Sequence, residues 1–401
     1  MNIVFFDDSQ RDYLLPLTFT RPASELRIGI LTIREKWEKR LNTEGSWLTL
    51  PYLSKKFGVN ITGDNLLING RVLPTKDLIE TINDLELQEG LFKGDILIAA
   101  RIDEQGLTQL KSGSELEELE LEGYDYENEV ESIDYCYDLF LKNKSALADD
   151  FELLTKGRVS QPIDDLTKII GDPAKVFIEE GGSVSATILN VEDGPVYIGK
   201  NASLLEGVIV RGGLAVCEAA QVKMAAKIYG ATTIGPYSKV GGEISNSILI
   251  GYSNKGHDGF LGNSVLGEWC NLGADTNNSN LKNNYGEVSL WSYPDNDYKT
   301  TGLQFCGLIM GDHSKSGINT MFNTGTVVGV SSNIFGGGFP PKMIPSFAWG
   351  GAEGFSEFLP HKAFEVADRM MQRRAVPFDE MEKEILDHVF ELTQEDRDNN
   401  F

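Results

Sequence analysis

The feature that most constrains this chain is an aliphatic residue at every sixth position over a long stretch. The run consists of Ile198, Leu204, Val210, Val216, Val222, Ile228, Ile234 and Val240. An α-helix repeats every 3.6 residues and a strand every two, so neither element produces a period of six. Six residues form one flat side of a triangular coil, and stacked coils bury these side chains in one continuous core. The repeat therefore predicts a parallel β-helix.

The 401-residue chain is too long for one ordinary core, and its patterns change along its length. We expect an α/β domain at 1–155, a linker at 156–169, the β-helix at 170–347 and a C-terminal helical cap at 348–401. Within the first domain the patterns predict strands at 3–6, 65–68 and 95–100 and helices at 30–41 and 132–154. Two helices, at about 360–374 and 378–393, are expected to cover the last rung of the β-helix.

Composition narrows the function classes. A formal net charge of -24 argues against a nucleic-acid or membrane-surface protein, and an anionic substrate would need locally gathered Lys and Arg. The sequence has neither a signal-peptide pattern at its start nor an apolar run of membrane-spanning length. Its four cysteines are far apart, which is typical of reduced thiols. These features predict a cytoplasmic protein.

The six-residue period breaks around His257 and again in the polar segment 277–302. Insertions at the corners of a solenoid commonly carry function, so His257 is a candidate catalytic residue; the alternative is an exposed surface histidine. Glu243 lies less than one coil upstream and is expected near His257, where a carboxylate would fix the tautomer and raise the basicity of the imidazole. Neutral side chains suited to a sugar follow downstream: Asn271, Thr276, Ser279 and Asn280.

The sequence Lys-Gly-His at 255–257, followed by Asn-Leu-Gly-Ala-Asp-Thr-Asn-Asn-Ser-Asn at 271–280, resembles a known family. It is similar to the bifunctional glucosamine-1-phosphate acetyltransferase and N-acetylglucosamine-1-phosphate uridyltransferase, most closely to the diverged form in Bacteroidetes-type bacteria. The resemblance covers residues 170–345 well and the first domain weakly. It implies a nucleotidyltransferase-like domain before a left-handed β-helix, a homotrimer, acetyl-CoA as co-substrate and a role in UDP-N-acetylglucosamine synthesis.

The resemblance also implies roles for single residues. His257 matches the general base and Glu243 its carboxylate partner, while Lys255, Asn271, Thr276 and Asn280 are the expected sugar and acetyl contacts. Phe260 and Leu281 stand where the family has tyrosines, and Ile318 stands where a serine contacts the acetyl donor. Phosphate binding would fall to basic residues that are otherwise exposed charges on the β-helix surface: Arg211, Lys223, Lys227 and Lys239.

The expected chemistry follows from the substrate that the resemblance implies. An amino sugar is cationic near neutral pH and must lose a proton before its nitrogen can attack a thioester. A neutral histidine can take that proton, a contribution of about 10²–10⁴-fold to the rate. Backbone N–H groups at a coil corner can hold the oxyanion.

The first domain departs from the sugar-nucleotidyltransferase pattern, because the segment after its first strand contains no glycine. Residues 18–29 instead resemble the signature of a divergent nucleotidyltransferase-like group. Arg11, Arg21 and Arg27 either clamp a nucleotide triphosphate or form structural ion pairs with nearby acidic residues. If this domain binds Mg²⁺, its ligands are expected among Asp7, Asp8 and Asp95.

Three functional hypotheses remain open from the sequence. The first is a bifunctional enzyme that acetylates a sugar phosphate and then transfers a uridylyl group. The second keeps one activity, either acyl transfer or sugar-1-phosphate nucleotidyl transfer from UTP or dTTP with a structural β-helix. The third is a non-enzymatic scaffold that senses sugar nucleotides. All three predict small-molecule sugar phosphates and nucleotides as ligands, with no nucleic acid and no membrane.

Overall fold

The computed structural model describes residues 2–401. The chain forms two compact units. The first comprises residues up to Leu14 together with Thr20–Leu26 and Leu31–Asp134, and the second comprises Leu15–Phe19, Arg27–Ile30 and Tyr135–Phe401. The helix that ends at residue 155 therefore belongs to the second unit, whereas the sequence pattern assigned it to the first domain.

The first unit is an α/β domain around a six-stranded mixed sheet. Its strands, in spatial order, are Gly45–Leu48, Asn2–Phe6, Asn65–Asn69, Ile96–Ile102, Glu89–Lys93 and Glu122–Asp125. The first three are parallel to one another, and Ile96–Ile102 is antiparallel to both of its neighbours. Three α-helices accompany the sheet: α1 (Ile33–Leu41), α2 (Lys76–Asn83) and α3 (Glu104–Lys111). The 3₁₀ turns of this unit are Ser9–Leu14, Ala23–Glu25 and Leu116–Glu118.

Helix α1 begins three residues later than its apolar pattern indicated. The side chain of Thr32 accepts a hydrogen bond from the backbone of Glu35, whose carboxylate accepts one from the Thr32 N–H in return. This reciprocal capping satisfies two backbone donors that a helix start would leave without partners. The residues before it, Leu31–Thr32, form a short strand instead.

The second unit is dominated by a parallel β-solenoid with three faces, which confirms the predicted architecture. Face 1 has six strands: Lys168–Ile170, Ile188–Asn190, Ile209–Arg211, Lys227–Tyr229, Glu243–Ser245 and Phe260–Gly262. Face 2 has nine: Val176–Ile178, Val196–Ile198, Leu214–Val216, Thr232–Ile234, Ile248–Gly251, Val265–Glu268, Leu308–Met310, Thr326–Val328 and Met343–Ile344. Face 3 has ten: Ser183–Val184, Ser203–Leu204, Gln221–Val222, Lys239–Val240, Asn254–Lys255, Asn271–Leu272, Lys315–Ser316, Asn333–Ile334, Ala348–Gly351 and Gly354–Glu357.

The core of the solenoid is the six-residue repeat itself. All eight aliphatic residues of that run are at most 1% exposed and belong to a single hydrophobic cluster. Each such side chain contributes about 1.5–3 kcal/mol when fully buried. The turns between faces place non-glycine residues in the left-handed region, for example Tyr252 at φ 53° and Trp269 at φ 59°.

The two breaks in the six-residue period correspond to a shortened rung and to a segment that leaves the coil. Val240 pairs with Lys255 in the next rung, so this rung is shorter than the one between Val222 and Val240. The coil continues past Leu272, which pairs with Ser316, and the polar segment leaves it after Asn278. It contains an antiparallel hairpin of Ser289–Ser292 and Asp297–Thr300, and Asn277–Asn278 pairs with Met321–Phe322.

Four helices complete the second unit: α4 (Asp138–Thr155), α5 (Pro360–Gln372), α6 (Glu380–Leu392) and α7 (Gln394–Asn400). Helix α4 begins at Asp138, later than the predicted residue 132, and the Asp138 carboxylate accepts a hydrogen bond from the Tyr135 N–H of the preceding turn. The ring of Phe390 on α6 lies 5.1 Å from the ring of Phe347 near the end of the solenoid. Within residues 2–401, no helix combines the length and apolar character needed to cross a bilayer.

Candidate functional site

Face 1 of the solenoid carries a cavity of about 760 Å³ on its outer side. Two rows of outward-facing residues form its floor, because strand pairing brings Lys227 beside Glu243 and Arg211 beside Tyr229. Lys144 of helix α4 and Asp193 also line the cavity. Three residues that the sequence singled out, Glu243, Arg211 and Lys227, thus share one site.

The carboxylate of Glu243 lies at the centre of a small polar network. It accepts a hydrogen bond of 2.7 Å from the hydroxyl of Tyr229, and the Nζ of Lys227 lies 3.4 Å away. Burial, and then the bond to Glu243, raise the pKa of Tyr229, which keeps this phenol a donor. The Lys227 side chain is 60% exposed, so the ion pair contributes at most about 1 kcal/mol. Both basic and acidic groups of the cavity therefore stay available to a ligand.

His257 lies in an exposed corner that follows the face 3 strand Asn254–Lys255. Its loop runs one rung beyond Glu243, as shown by the hydrogen bond of 3.2 Å from the Glu243 N–H to the Gly259 carbonyl. Among residues 2–401, however, no hydrogen bond joins the two side chains. Glu243 projects from the flat of face 1 toward Tyr229, whereas His257 stands at the corner between faces. This corrects the expectation that the carboxylate orients the imidazole.

Lys255 is a structural residue and not the predicted sugar or acetyl contact. It occupies an interior position of the coil, opposite Val240, and is only 1% exposed. Its Nζ donates a hydrogen bond of 2.6 Å to the carbonyl oxygen of His257. Burial lowers the pKa of Lys255 to about 8. The lysine thus supports the His257 corner from inside the solenoid.

The three other predicted sugar contacts do not line the face 1 cavity. Thr276 is 2% exposed, and its hydroxyl lies 2.9 Å from that of Ser316, so it is a core residue. The Asn280 amide donates to the side chain of Asn263 at 2.8 Å. Asn271 lies on the outside of face 3, where it accepts a hydrogen bond of 2.9 Å from Asn254.

The candidate phosphate-binding residues are likewise divided between faces. Arg211 and Lys227 line the face 1 cavity. Lys223 follows a face 3 strand and donates to the side chain of Gln221 at 2.5 Å. Lys239 lines a different cavity, also on face 3. Each face of the coil takes about six residues, so residues six positions apart in the sequence lie on different faces.

In the first unit, two of the three acidic residues considered for Mg²⁺ are engaged with protein groups, whereas Asp95 is exposed. Asp7 accepts from the Thr49 hydroxyl at 2.6 Å and from the Ala23 N–H at 2.9 Å. Burial raises the pKa of Asp7, and the nearby Arg11 opposes that shift. Asp8 pairs with Arg71 at 2.9 Å. No cluster of three or more acidic, histidine or cysteine side chains suited to a metal occurs among the described residues of the chain.

The three arginines considered for nucleotide binding have different environments. Arg11 is 3% exposed and lies 3.4 Å from Asp7 and 3.2 Å from Asp12, which matches the structural alternative. Arg21 is also buried, at 5% exposed. Arg27 belongs to the second unit, where its guanidinium donates to the carbonyl oxygens of Ile30 and Ile250 at 2.5 and 3.1 Å. These backbone bonds give Arg27 a structural role in the second unit, and a part in nucleotide binding stays a prediction.

Sequence reasoning missed several residues that the structure brings to these sites. Tyr229 and Lys144 line the face 1 cavity, and Arg71 bridges Asp8 and Asp134 in the first unit. A signal for Tyr229 was present, because it follows the interior residue Ile228 just as Arg211 follows Val210. No such signal marks Lys144, whose position depends on how α4 packs.

Comparison with known proteins agrees with this two-part organisation. Residues 3–159 match the family described as sugar nucleotidyl transferase. The chain is 24% identical over 240 residues to the bifunctional protein GlmU of Synechococcus elongatus, covering 55% of this chain and 49% of that protein. It is 32% identical over 92 residues to the GlmU of Methanococcus aeolicus, covering 23% and 22%. The nucleotidyl transferase match and these partial matches, together with the solenoid, make the chain similar to GlmU proteins.

The chain spans about half the length of the Synechococcus relatives that it matches and a smaller share of the Methanococcus one. Its first part is a sugar nucleotidyl transferase domain by family.

Proposed function

We propose that this protein is a bifunctional sugar-phosphate transferase whose solenoid acetylates glucosamine 1-phosphate and whose first domain transfers a uridylyl group. The observation that carries the proposal is the mixed charge of the face 1 cavity. It combines the cations of Lys144, Arg211 and Lys227 with the carboxylates of Glu243 and Asp193. The carboxylates would repel a plain anion and attract a ligand that also carries a positive charge.

Glucosamine 1-phosphate carries both charges, since it has an ammonium group and a phosphate. Arg211 can bind the phosphate through a bidentate pair of hydrogen bonds, and the ammonium groups of Lys144 and Lys227 can add electrostatic attraction. Glu243 suits the ammonium, because its carboxylate already faces the cavity and is steadied by Tyr229. The cavity volume of about 760 Å³ lies within the usual range for small-molecule sites.

His257 is proposed as the general base. Its corner lies one rung beyond Glu243 and is exposed, so a substrate held at face 1 has a route to it. A neutral imidazole takes one proton from the ammonium, and the freed amine attacks the thioester carbon of acetyl-CoA. The C–N bond forms as the C–S bond breaks, and the nitrogen loses a second proton, which the departing thiolate accepts. Cys270 is unsuited to a covalent route, because burial raises the pKa of its thiol to about 12.

Uridylyl transfer is proposed for the first domain from its family membership. Arg11 and Arg21 remain the candidates for the nucleotide phosphates, and both are buried in the present arrangement. If Mg²⁺ takes part, Asp7 or Asp8 must exchange a present partner for it. The homotrimeric state and the cytoplasmic location remain predictions alongside these roles.

The decisive experiment separates recognition of the amine from recognition of the phosphate. We expect Glu243→Gln to weaken binding of glucosamine 1-phosphate at least about tenfold, the loss of about 1.4 kcal/mol. Binding of glucose 1-phosphate, which lacks the ammonium, should change less than about twofold. Calorimetric titration of both ligands measures the difference. Equal weakening of both ligands would contradict the proposed role of Glu243.

The catalytic role of His257 needs a rate measurement. In an acetyl-CoA thiol-release assay, His257→Ala is expected to lower kcat by about 10²–10⁴-fold with little change in KM. His361→Ala removes another exposed histidine and serves as the matched control. A wild-type kcat for acetylation in His257→Ala would contradict the role of His257 as general base.

The same preparations distinguish the remaining hypotheses. Uridylyl transfer without any acetylation would indicate a single-activity nucleotidyltransferase with a structural solenoid. Binding of sugar nucleotides without turnover in either assay would indicate a sensor. Loss of uridylyl transfer in Arg21→Ala, with acetylation intact, would support two independent sites.

A further inference from the structure

A second cavity, of about 710 Å³, lies on face 3 of the solenoid beneath helix α5. Its floor is one outward-facing row in which strand pairing aligns Lys239, Asn254, Asn271 and Lys315. Its roof is the side of α5 that carries Val366 and Met370, continued by the arginines at the end of the helix. The face 3 cavity therefore differs from the face 1 cavity in its position on the solenoid and in the residues that line it.

The charged side chains that line this cavity are all cationic. They are Lys239, Lys315, Arg369, Arg373 and Arg374. This concentration occurs in a chain with 60 acidic and 36 basic residues, so it cannot be explained by average composition. Mutual repulsion among five cations destabilises the empty site unless an anion compensates them.

Among the described residues, 2–401, four of these five cations take part in no salt bridge. Arg369 lies 3.3 Å from Glu365 in an exposed pair on α5. Within the span 2–401, no salt bridge engages Lys239, Arg373 or Arg374. Burial and then the nearby Arg374 lower the pKa of Lys239, with further contributions from Lys223 and Arg373. The charges therefore converge on the cavity without being neutralised by the fold.

The floor of the site is held rigidly. The Nζ of Lys315 donates a hydrogen bond of 2.6 Å to the carbonyl of His313, which fixes the ammonium beside the row. The amides of Asn254 and Asn271 are bonded to each other at 2.9 Å. A preorganised floor lowers the entropy cost of binding a ligand.

The neighbouring corner adds flat, partly polar surface. The rings of Tyr252 and Trp269 stack with their centroids 4.2 Å apart, and both line the cavity. Together with Val366 and Met370 they provide an apolar wall next to the cations. Such a combination suits an organic molecule that carries several phosphate charges, rather than a bare inorganic anion.

We infer that the face 3 cavity is a binding site for a small molecule with a diphosphate group, held by Lys239, Lys315, Arg373 and Arg374. The shared chemistry is the diphosphate; it is present in nucleotide sugars and in coenzyme A. The inference does not depend on the proposed acetylation, because no residue that lines the face 1 cavity also lines the face 3 cavity.

Calorimetric titration of the full chain tests the inference with three probes: inorganic pyrophosphate, UDP-N-acetylglucosamine and coenzyme A. The double variant Arg373→Ala/Arg374→Ala should weaken binding of pyrophosphate, and of at least one organic probe, by about tenfold or more. Arg373 is exposed and Arg374 is half-buried, so the double variant is expected to fold. Lys239→Gln serves as a second variant, and Lys200→Ala, at an exposed lysine outside the cavity, is the control.

The organic probe whose affinity falls in the variants identifies the source of the diphosphate. Binding should also weaken as salt is raised from low to high concentration. The inference is overturned if no probe binds the wild-type chain, or if all probes bind the variants and the wild type equally. Titration of glucosamine 1-phosphate into the double variant should be unchanged, which separates failure here from failure of the proposed acetylation.

Discussion

Replacing the buried Lys255 with methionine gives the sharpest test of the solenoid interior. The lysine occupies a core position between rungs and is 1% exposed, and burial lowers its pKa from 10.5 to about 8. A difference of one pKa unit corresponds to about 1.4 kcal/mol, so the charged form costs on the order of 3 kcal/mol at pH 7. Lys255→Met removes this cost and also the hydrogen bond to the His257 carbonyl, a loss of about 1–3 kcal/mol.

At pH 7 the removed cost of the buried charge and the lost hydrogen bond are similar in size. Only the cost of the buried charge depends on pH. Between the folded pKa near 8 and the unfolded value of 10.5, the unfolded chain binds more protons than the folded chain. The stability of the wild type therefore rises with pH through this window, and that of the methionine variant lacks this contribution. From pH 7 to pH 9 the difference in unfolding free energy should shift by about 1 kcal/mol in favour of the wild type.

Urea unfolding of both proteins at pH 7, 8 and 9, at one fixed protein concentration, measures this shift. Lys200→Met, at an exposed position, should show a difference from wild type of less than about 0.5 kcal/mol at every pH. A difference between Lys255→Met and wild type that stays constant from pH 7 to 9 would refute the buried-charge reasoning. Lys255→Met should also lower acetyl transfer, because the His257 corner loses its internal support.

Three further outcomes are expected. Asn143→Ala removes hydrogen bonds to Gly29 at 2.7 Å and Ala231 at 2.9 Å from a fully buried site, and should lower the unfolding free energy by about 2–4 kcal/mol in urea titrations. Leu249→Ala leaves a cavity in the solenoid core and should cost about 2–5 kcal/mol by the same measurement, so a loss below 1 kcal/mol would argue against a tight core. Arg71→Met leaves two carboxylates of the first unit without their cation; it should lower stability by about 1–3 kcal/mol, and retention of the wild-type midpoint would count against a structural ion pair.

The sequence determined the architecture of the second unit, because a six-residue period has one physical solution. Each aliphatic residue of that period is buried, as the repeat requires. Its breaks also marked the His257 corner and the polar excursion correctly. Local patterns predicted the strands Asn2–Phe6 and Asn65–Asn69 within a residue or two. These features depend on neighbours along the chain, so the chain alone encodes them.

The membership of each site was decided only in three dimensions. Lys255 and Thr276 are polar residues in polar segments of the sequence, yet both side chains are buried inside the solenoid. Glu243 bonds Tyr229 and not His257, because side chains on the flat of a face and at its corner point in different directions. Which face a residue occupies depends on the exact number of residues in every preceding turn, and a deletion of a few residues redirects all that follow. The position of α5 over face 3 depends on packing between distant segments, and no local pattern encodes it.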